Sequence, residues 1–107
     1  MCTAITYKTK DAYFGRTLDV ECSWGEEVII TPRNFELSFR HTKGQGSHYA
    51  IIGMGTLREG YPLYYEAANE CGLGMAGLRF ADNACYFPTQ EGKENVSPFE
   101  FIPWLLG

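Results

Sequence analysis

The sequence lacks the features of several large protein classes. Basic residues are too few for a nucleic-acid interface, since Lys and Arg number 9 against 13 Asp and Glu, and the net charge is −4. No apolar run approaches the length that crosses a bilayer. The first residues mix Thr, Tyr and Lys and form neither the basic nor the apolar segment of a signal peptide. We therefore expect a cytoplasmic protein with no nucleic-acid and no membrane partner.

The cysteines also lack the spacing of a metal site. They stand at positions 2, 22, 71 and 85, and no two have the short spacing that brings a pair of thiolates onto one zinc ion. A cytosolic chain keeps its thiols reduced, which argues against disulfides. We predict no metal and no cofactor, and we expect Cys22, Cys71 and Cys85 to be packing residues. Cys2 is the candidate for chemistry.

What the sequence does contain is a series of short strand patterns. Residues 2–7 and 13–19 read as two strands of a hairpin, joined by a polar turn at 8–11. Three further strands are predicted at 27–31, 35–40 and 49–54, whereas 61–65 is ambiguous. A last, glycine-rich strand is predicted at 72–80, where glycine indicates close backbone approach or a bound ligand. Residues 81–96 are predicted to be a loop.

A helix start follows this loop. Ser97 precedes Pro98 and stands three residues before Glu100, the spacing of a capping box with proline in the first helical position. Pro103 is expected to kink the helix. We interpret residues 1–107 as the N-terminal portion of a larger α+β domain, with the chain stopping inside the helix at 97–107.

A cysteine at position 2 can act as a nucleophile once Met1 is removed. The new α-amino group has an ordinary pKa of roughly 7.7–8.0, so it can accept the proton of the thiol on the same residue. The predicted return strand can bring Arg16 and Asp19 beside the N-terminus. Arg16 would favour the thiolate, and Asp19 would hold the amino group. Retained Met1 would defeat this mechanism.

Six motifs in order resemble the choloylglycine hydrolases, the family of bile salt hydrolases and penicillin V acylases. They extend over essentially the whole chain, which makes them more specific than any one of them alone. The motifs are MCTAI at 1–5, FGRTLD at 14–19, TPRNF at 31–35, GMGT at 53–56 with YP at 61–62, NECGLGMAGL at 69–78 and PFEFIPWLLG at 98–107.

The resemblance implies a fold and a reaction. The fold is that of the N-terminal nucleophile hydrolases, an αββα sandwich of two antiparallel sheets between helical layers. Cys2 would attack the amide carbonyl of a glycine- or taurine-conjugated bile salt, or of penicillin V, and form an acyl-enzyme that water cleaves. Arg16 and Asp19 match the family's residues beside the nucleophile. The full-length enzyme is expected to be a homo-oligomer, a tetramer.

Arg79 stands where the family usually has Asn or Tyr. The backbone N–H of this position helps to hold the oxyanion in the family, and a change of side chain leaves that donor in place. We therefore expect Arg79 to be an oxyanion-hole position. Four apolar or aromatic residues are candidates for an acyl pocket, although each could equally belong to the core: Leu18, Leu57, Tyr61 and Tyr65.

The family's further catalytic Asn and Arg lie downstream of the residues present here. Loss of one oxyanion donor costs on the order of a hundredfold in rate, so we expect the 107-residue chain alone to be inactive or nearly so. Three hypotheses stay open at this point. The chain is part of a bile salt hydrolase, part of a penicillin V acylase, or a truncated remnant without catalysis.

Overall fold

The structure of the chain, a computed structural model, describes residues 1–107 and contains six strands and one short α-helix. A 3₁₀ helix at Pro98–Glu100 leads directly into the α-helix, α1, at Phe101–Leu106. The predicted α+β class is confirmed, with strands in the majority. The strands are β1 (Thr3–Lys8), β2 (Ala12–Thr17), β3 (Glu27–Thr31), β4 (Ile51–Arg58), β5 (Tyr61–Asn69) and β6 (Gly74–Ala76).

The strands form two antiparallel sheets. β1 and β2 make the predicted hairpin, with Thr3 opposite Thr17 and Lys8 opposite Ala12. The other four strands form one sheet in the order β3-β4-β5-β6. Phe14 of the hairpin lies over Gly74 of β6, where a Cβ would be 3.3 Å from the ring. Glycine at this position therefore lets the hairpin lie close to the edge of the larger sheet.

The hydrophobic core lies between one face of the four-stranded sheet and α1. Its members are apolar side chains of β3, β4 and β5, two residues of the helix, and Leu37 from the connection between β3 and β4. Burial of such side chains is the main stabilising term available to a chain of this size. The seven residues are Ile29, Leu37, Ile51, Tyr64, Ala67, Ile102 and Leu106.

Two polar side chains close the ends of this helical segment. The backbone N–H of Ser97 donates to the Glu100 carboxylate at 3.3 Å, one half of the predicted capping box. Asn69 donates from Nδ2 to the carbonyl oxygen of Leu106 at 2.9 Å. The predicted kink at Pro103 is wrong, because α1 begins at Phe101 and Pro103 falls in its first turn, where no N–H is needed.

The prediction of a strand at 35–40 is also wrong. Asn34 has a φ of 65°, which turns the chain out of the extended conformation. Only Leu37 pairs with another segment, through an isolated bridge to Gln45. The alternation nevertheless identified the buried face, since Leu37 is fully buried and Phe35 and Phe39 pack against the core. The ambiguous segment 61–65 proves to be the start of β5, the longest strand.

A β-bulge interrupts the pairing of β4 with β5. Met54 pairs with Glu66 and Gly55 with Tyr64, so Tyr65 has no partner across the sheet. The bulge separates two core residues of β5, Tyr64 and Ala67, by three positions where a regular strand would have two. Tyr65 and Glu66, between these two residues, both lie outside the core cluster.

Cys22, Cys71 and Cys85 are exposed thiols, so the expectation that they pack in the interior is wrong. Each lies in a turn or loop segment outside the strands, where no core is available. No helix of the structure has both the length and the apolar character needed to cross a membrane.

A fork of hydrogen bonds joins the end of β3 to the turn after β5. Arg33 donates from Nε and Nη2 to the two oxygens of Glu70, the first contact measuring 2.6 Å. Glu70 also accepts from the backbone N–H of Ala50 at 2.8 Å. The bond from Arg33, followed by that from Ala50, lowers the pKa of Glu70 to about 2.

This low pKa makes part of the stability depend on pH. A carboxyl group whose pKa is depressed by folding stabilises the fold above its ordinary pKa of roughly 4.3, and the contribution disappears as pH falls towards the folded value. We expect Glu70→Gln to lower the urea midpoint at pH 7 and to match the unsubstituted chain near pH 2. Urea titrations of both proteins from pH 7 to pH 2 measure this. A constant gap across that range would contradict the assignment.

Candidate active site

Cys2 lies at the start of β1, at the wall of an apolar cavity between the hairpin, the larger sheet and the helical segment. Its side chain is buried, with 9% of the residue exposed. The cavity has a volume of about 280 Å³, at the lower end of the range for small-molecule sites. Most of its lining is apolar, including Leu18, Met75, Leu78 and Ile102. A group that reacts with the thiol would therefore meet apolar side chains around it.

Two backbone N–H groups act on the thiol. The hydrogen bond from the Arg79 backbone lowers the pKa of Cys2 most, and the bond from the Asp19 backbone adds to it. Burial and the negative charge of the Asp19 carboxylate oppose the shift, whereas the positive charge of Arg16 supports it. The thiolate is thus stabilised mainly by fixed backbone dipoles, with a smaller contribution from a cation.

Arg16 lies in β2 with its side chain only 3% exposed. Its Nη1 donates to Glu66 at 3.2 Å, and its Nη2 donates to the carbonyl oxygen of Gly77 at 2.5 Å. Gly77 in turn donates its N–H to the carbonyl oxygen of the bulge residue Tyr65 at 2.8 Å. This chain of bonds connects the hairpin to β5 and to the segment that ends at Arg79.

Asp19 follows β2 and faces the N-terminus. Its Oδ2 lies 3.7 Å from the terminal amino nitrogen of Met1 and accepts a hydrogen bond from Thr17 Oγ1 at 3.3 Å. Thr17 Oγ1 also accepts from the backbone N–H of Thr3 at 3.1 Å. The carboxylate is therefore held at the end of the chain that precedes the thiol.

The structure brings together six of the eight residues singled out from the sequence. Cys2, Arg16, Leu18, Tyr65 and Arg79 line the apolar cavity, and Asp19 lies beside it. The predicted acyl-pocket role of the other two is not supported. Tyr61 lines a separate depression with Phe39 and Glu100, while Leu57 is partly exposed opposite Pro62. Both lie at the turn end of the β4–β5 hairpin, remote from the bulge that faces Cys2.

A second, more polar cavity of about 890 Å³ adjoins the first. Leu18, Val20 and Arg79 border both cavities and form the wall between them. The rest of the lining consists of the end of the chain at Met1, three acidic residues and the segment that follows Arg79: Asp19, Glu21, Asp82, Phe80, Ala81 and Asn83. Arg79 forms no ion pair, and it is the one cationic side chain among the residues that line the polar cavity.

Glu66 is the residue that reasoning from the sequence missed. It follows directly after the ambiguous aromatic segment 61–65, and the bulge at Tyr65 places it beside Arg16. A carboxylate within an apolar strand was the one signal that could have drawn attention to it. No group of three or more His, Cys, Asp or Glu side chains is arranged to hold a metal ion.

The lowered pKa of Cys2 predicts an early onset of its reactivity with pH. The three exposed thiols serve as internal comparators, since only thiolates are alkylated. We expect the iodoacetamide reaction of Cys2 to reach its midpoint at a lower pH than those of Cys22, Cys71 and Cys85, when each site is followed by peptide mass spectrometry. Midpoints are compared, because burial slows the absolute rate at Cys2.

Arg79 offers a matched pair of variants for the same measurement. Arg79→Ala retains the backbone N–H and should keep the early midpoint of Cys2, whereas Arg79→Pro removes the N–H and should raise that midpoint. Far-UV circular dichroism checks that both variants are folded. Equal midpoints in the two variants would show that the backbone donor does not act on the thiol.

Comparison with known proteins relates this arrangement to one group of enzymes. The chain is 54% identical over its whole length to the bile salt hydrolase/transferase of Lactiplantibacillus plantarum and 41% identical over 98% of its length to the conjugated bile acid hydrolase of Lactobacillus gasseri. The crystal structure of the C2A mutant of the conjugated bile acid hydrolase from Clostridium perfringens superimposes with a TM-score of 0.88, at 38% identity over 99% of the chain.

The chain spans about a third of the length of these relatives, 33% of the L. plantarum and C. perfringens proteins and 34% of the L. gasseri protein. The fold class expected from the sequence, that of the N-terminal nucleophile hydrolases, is confirmed by the structural match. The model of one family, the linear amide C–N hydrolases of the choloylglycine hydrolase type, matches residues 2–107. The chain therefore belongs to the choloylglycine hydrolase family.

Proposed function

We propose that this chain carries the nucleophile of an amide hydrolase that deconjugates glycine- or taurine-linked bile salts. One observation carries the proposal. Cys2 has its thiol in an apolar cavity under two backbone N–H donors, which lower its pKa, with a buried arginine nearby. A thiolate in such surroundings is the usual form of a cysteine that attacks a carbonyl group.

In the proposed first step, Cys2 Sγ attacks the amide carbonyl carbon and the carbonyl oxygen becomes an oxyanion. The backbone N–H of Arg79 lowers the pKa of the Cys2 thiol and so lies near the reacting atoms, which makes it the candidate donor to the oxyanion. The C–N bond then breaks, the amine leaves with a proton, and the acyl group stays on sulfur as a thioester. Water hydrolyses the thioester and regenerates the thiol.

The proton transfers are assigned to the α-amino group of Cys2, which becomes available once Met1 is removed. Asp19 supports this assignment, since its carboxylate lies 3.7 Å from the terminal amino group in the chain that still bears Met1. We propose that Asp19 holds the new amino group in the same way after removal of Met1. The amino group would then take the thiol proton and deliver it to the leaving amine.

The two adjoining cavities fit the substrate class. A conjugated bile salt has a large apolar acyl part and a short amine part that ends in an anion. Leu18 and Tyr65, with the rest of the apolar cavity, suit the acyl part in polarity. Arg79 is the one cationic side chain that lines the polar cavity, beside Asp19, Glu21 and Asp82, and is the candidate contact for the anion. The names of the L. plantarum and L. gasseri relatives support the same substrate class. The cytoplasmic location and the tetramer expected from the sequence stay predictions.

The test uses a chimera, because the chain spans a third of its relatives. Residues 1–107 replace the matching segment of the L. plantarum bile salt hydrolase/transferase, with which they are 54% identical. We expect the chimera to release glycine and taurine from conjugated bile salts, measured by the free amine, and Cys2→Ala to reduce the rate by at least about a thousandfold. Penicillin V is assayed in parallel, and the 107-residue chain alone should give no turnover.

The unaltered relative is the positive control for folding and assay conditions. Cys22→Ala is the matched control substitution, since this thiol is exposed and lies outside the cavity. Its rate should equal that of the chimera. A folded chimera that hydrolyses neither substrate would contradict the proposal and favour a non-catalytic remnant. Faster release from penicillin V than from bile salts would assign the chain to an acylase.

A further inference from the structure

The ion pair between Arg16 and Glu66 is buried beside the proposed nucleophile. Of the two side chains, 3% of Arg16 and 22% of Glu66 are exposed. A buried charge without a partner costs several kcal/mol, so a guanidinium this deep must be paired. Glu66 is its one carboxylate partner, and the carbonyl oxygen of Gly77 is the other acceptor.

The third nitrogen of the guanidinium, Nε, is buried and has no hydrogen-bond partner. The group is therefore fixed by two contacts only, one from each of its Nη atoms. Removal of either contact would leave the planar head free to rotate or to move towards solvent. Glu66 thus supplies half of what holds the cation in its place.

The bulge in β5 exists where this contact is made. Because Tyr65 is unpaired across the sheet, Glu66 turns to the side of the hairpin and Ala67 returns to the core. The carbonyl oxygen of the bulge residue Tyr65 accepts a hydrogen bond from the N–H of Gly77, and the carbonyl oxygen of Gly77 accepts one from Arg16. One irregularity therefore orients both acceptors of the guanidinium.

We propose that Glu66 is a positioning residue, which holds the Arg16 guanidinium beside Cys2 and thereby sets how readily the Cys2 thiolate forms. The inference rests on the proposed role of Cys2 as nucleophile and adds a residue that does not touch the substrate. Glu66 has two opposite effects on the thiolate. Its hydrogen bond keeps the cation near the sulfur, and its negative charge offsets part of the field of that cation.

Burial raises the pKa of Glu66, and the charge and the hydrogen bond of Arg16 offset part of that shift. The titratable and charged groups that face the thiol come from several segments, so each must be unchanged in the test. Arg16 lies on β2, Asp19 on the loop after it, Arg79 after β6, and the amino group at Met1. The others that line the cavity are Glu26, Tyr64, Tyr65 and Tyr86.

Two variants of equal charge separate the two effects. Glu66→Gln keeps an oxygen acceptor for Arg16 and loses the charge, whereas Glu66→Leu loses both. The measurement is the pH midpoint of Cys2 alkylation in the full 107-residue chain, followed on the Cys2 peptide. Intact mass confirms that all proteins have the same N-terminus, and far-UV circular dichroism confirms their fold.

We expect Glu66→Gln to move the Cys2 midpoint to lower pH than in the unsubstituted chain, because the held cation is no longer offset. Glu66→Leu should have its midpoint at higher pH than Glu66→Gln, by on the order of half a pH unit, because the cation is no longer held. Coincident midpoints for the two variants, or no displacement in Glu66→Gln, would overturn the proposal. If Glu66→Leu does not fold, Glu66→Ala takes its place, since it also removes both the acceptor and the charge.

Glu70→Gln is the matched control. It also removes the carboxylate of an Arg–Glu pair, but this pair, between Glu70 and Arg33, does not line the cavity beside Cys2. Glu70→Gln should lower stability without moving the Cys2 midpoint. If Glu66 had a purely structural role, its variants would likewise lower stability and leave the Cys2 midpoint unmoved. The unsubstituted chain distinguishes the two proposals. A Cys2 midpoint equal to those of the exposed cysteines would count against Cys2 as nucleophile, whereas an early midpoint that Glu66 variants leave unmoved would remove only Glu66.

Discussion

The buried guanidinium of Arg16 needs hydrogen-bond acceptors, and the arrangement of the two sheets provides them. A cation with 3% of its side chain exposed needs acceptors, and these come from Glu66 and from the carbonyl oxygen of Gly77. Both acceptors belong to the four-stranded sheet or its continuation, while Arg16 belongs to the hairpin. The pair therefore connects the two sheets, and this connection brings Cys2 at the start of β1 next to Arg79.

This connection also brings together the groups that lower the pKa of Cys2, and the largest contribution does not come from a side chain. Reasoning from the sequence named Arg16 as the side chain that would favour the thiolate. In the structure the backbone N–H of Arg79 has the largest effect on the pKa of Cys2, and the charge of Arg16 a smaller one. A backbone donor is present whatever the side chain, so the arginine side chain at position 79 leaves that contribution in place.

Strand patterns predicted the hairpin, β3 and the helix start at Ser97, because these depend on local chemistry and short turns. The hairpin also indicated that Arg16 and Asp19 lie beside Cys2, whereas the role of Arg79 was implied by the family resemblance alone. These patterns could not predict the bulge at Tyr65, because a bulge depends on the register between two strands, and they therefore missed Glu66. The predicted acyl pocket also included Leu57 and Tyr61, which do not line the cavity beside Cys2. Alternation placed Leu37 in the core but could not foresee that Asn34 would turn the chain.

The sulfur of Cys2, on a chain without Met1, is the reacting atom that we propose. This proposal is tested most directly by acid quench of the chimera during turnover of a conjugated bile salt, followed by mass spectrometry of the N-terminal peptide. The expected result is a peptide that begins at Cys2 and bears the acyl group as a thioester, which disappears as free bile acid forms. An acyl group on another residue, or hydrolysis by a protein that retains Met1, would contradict the claim.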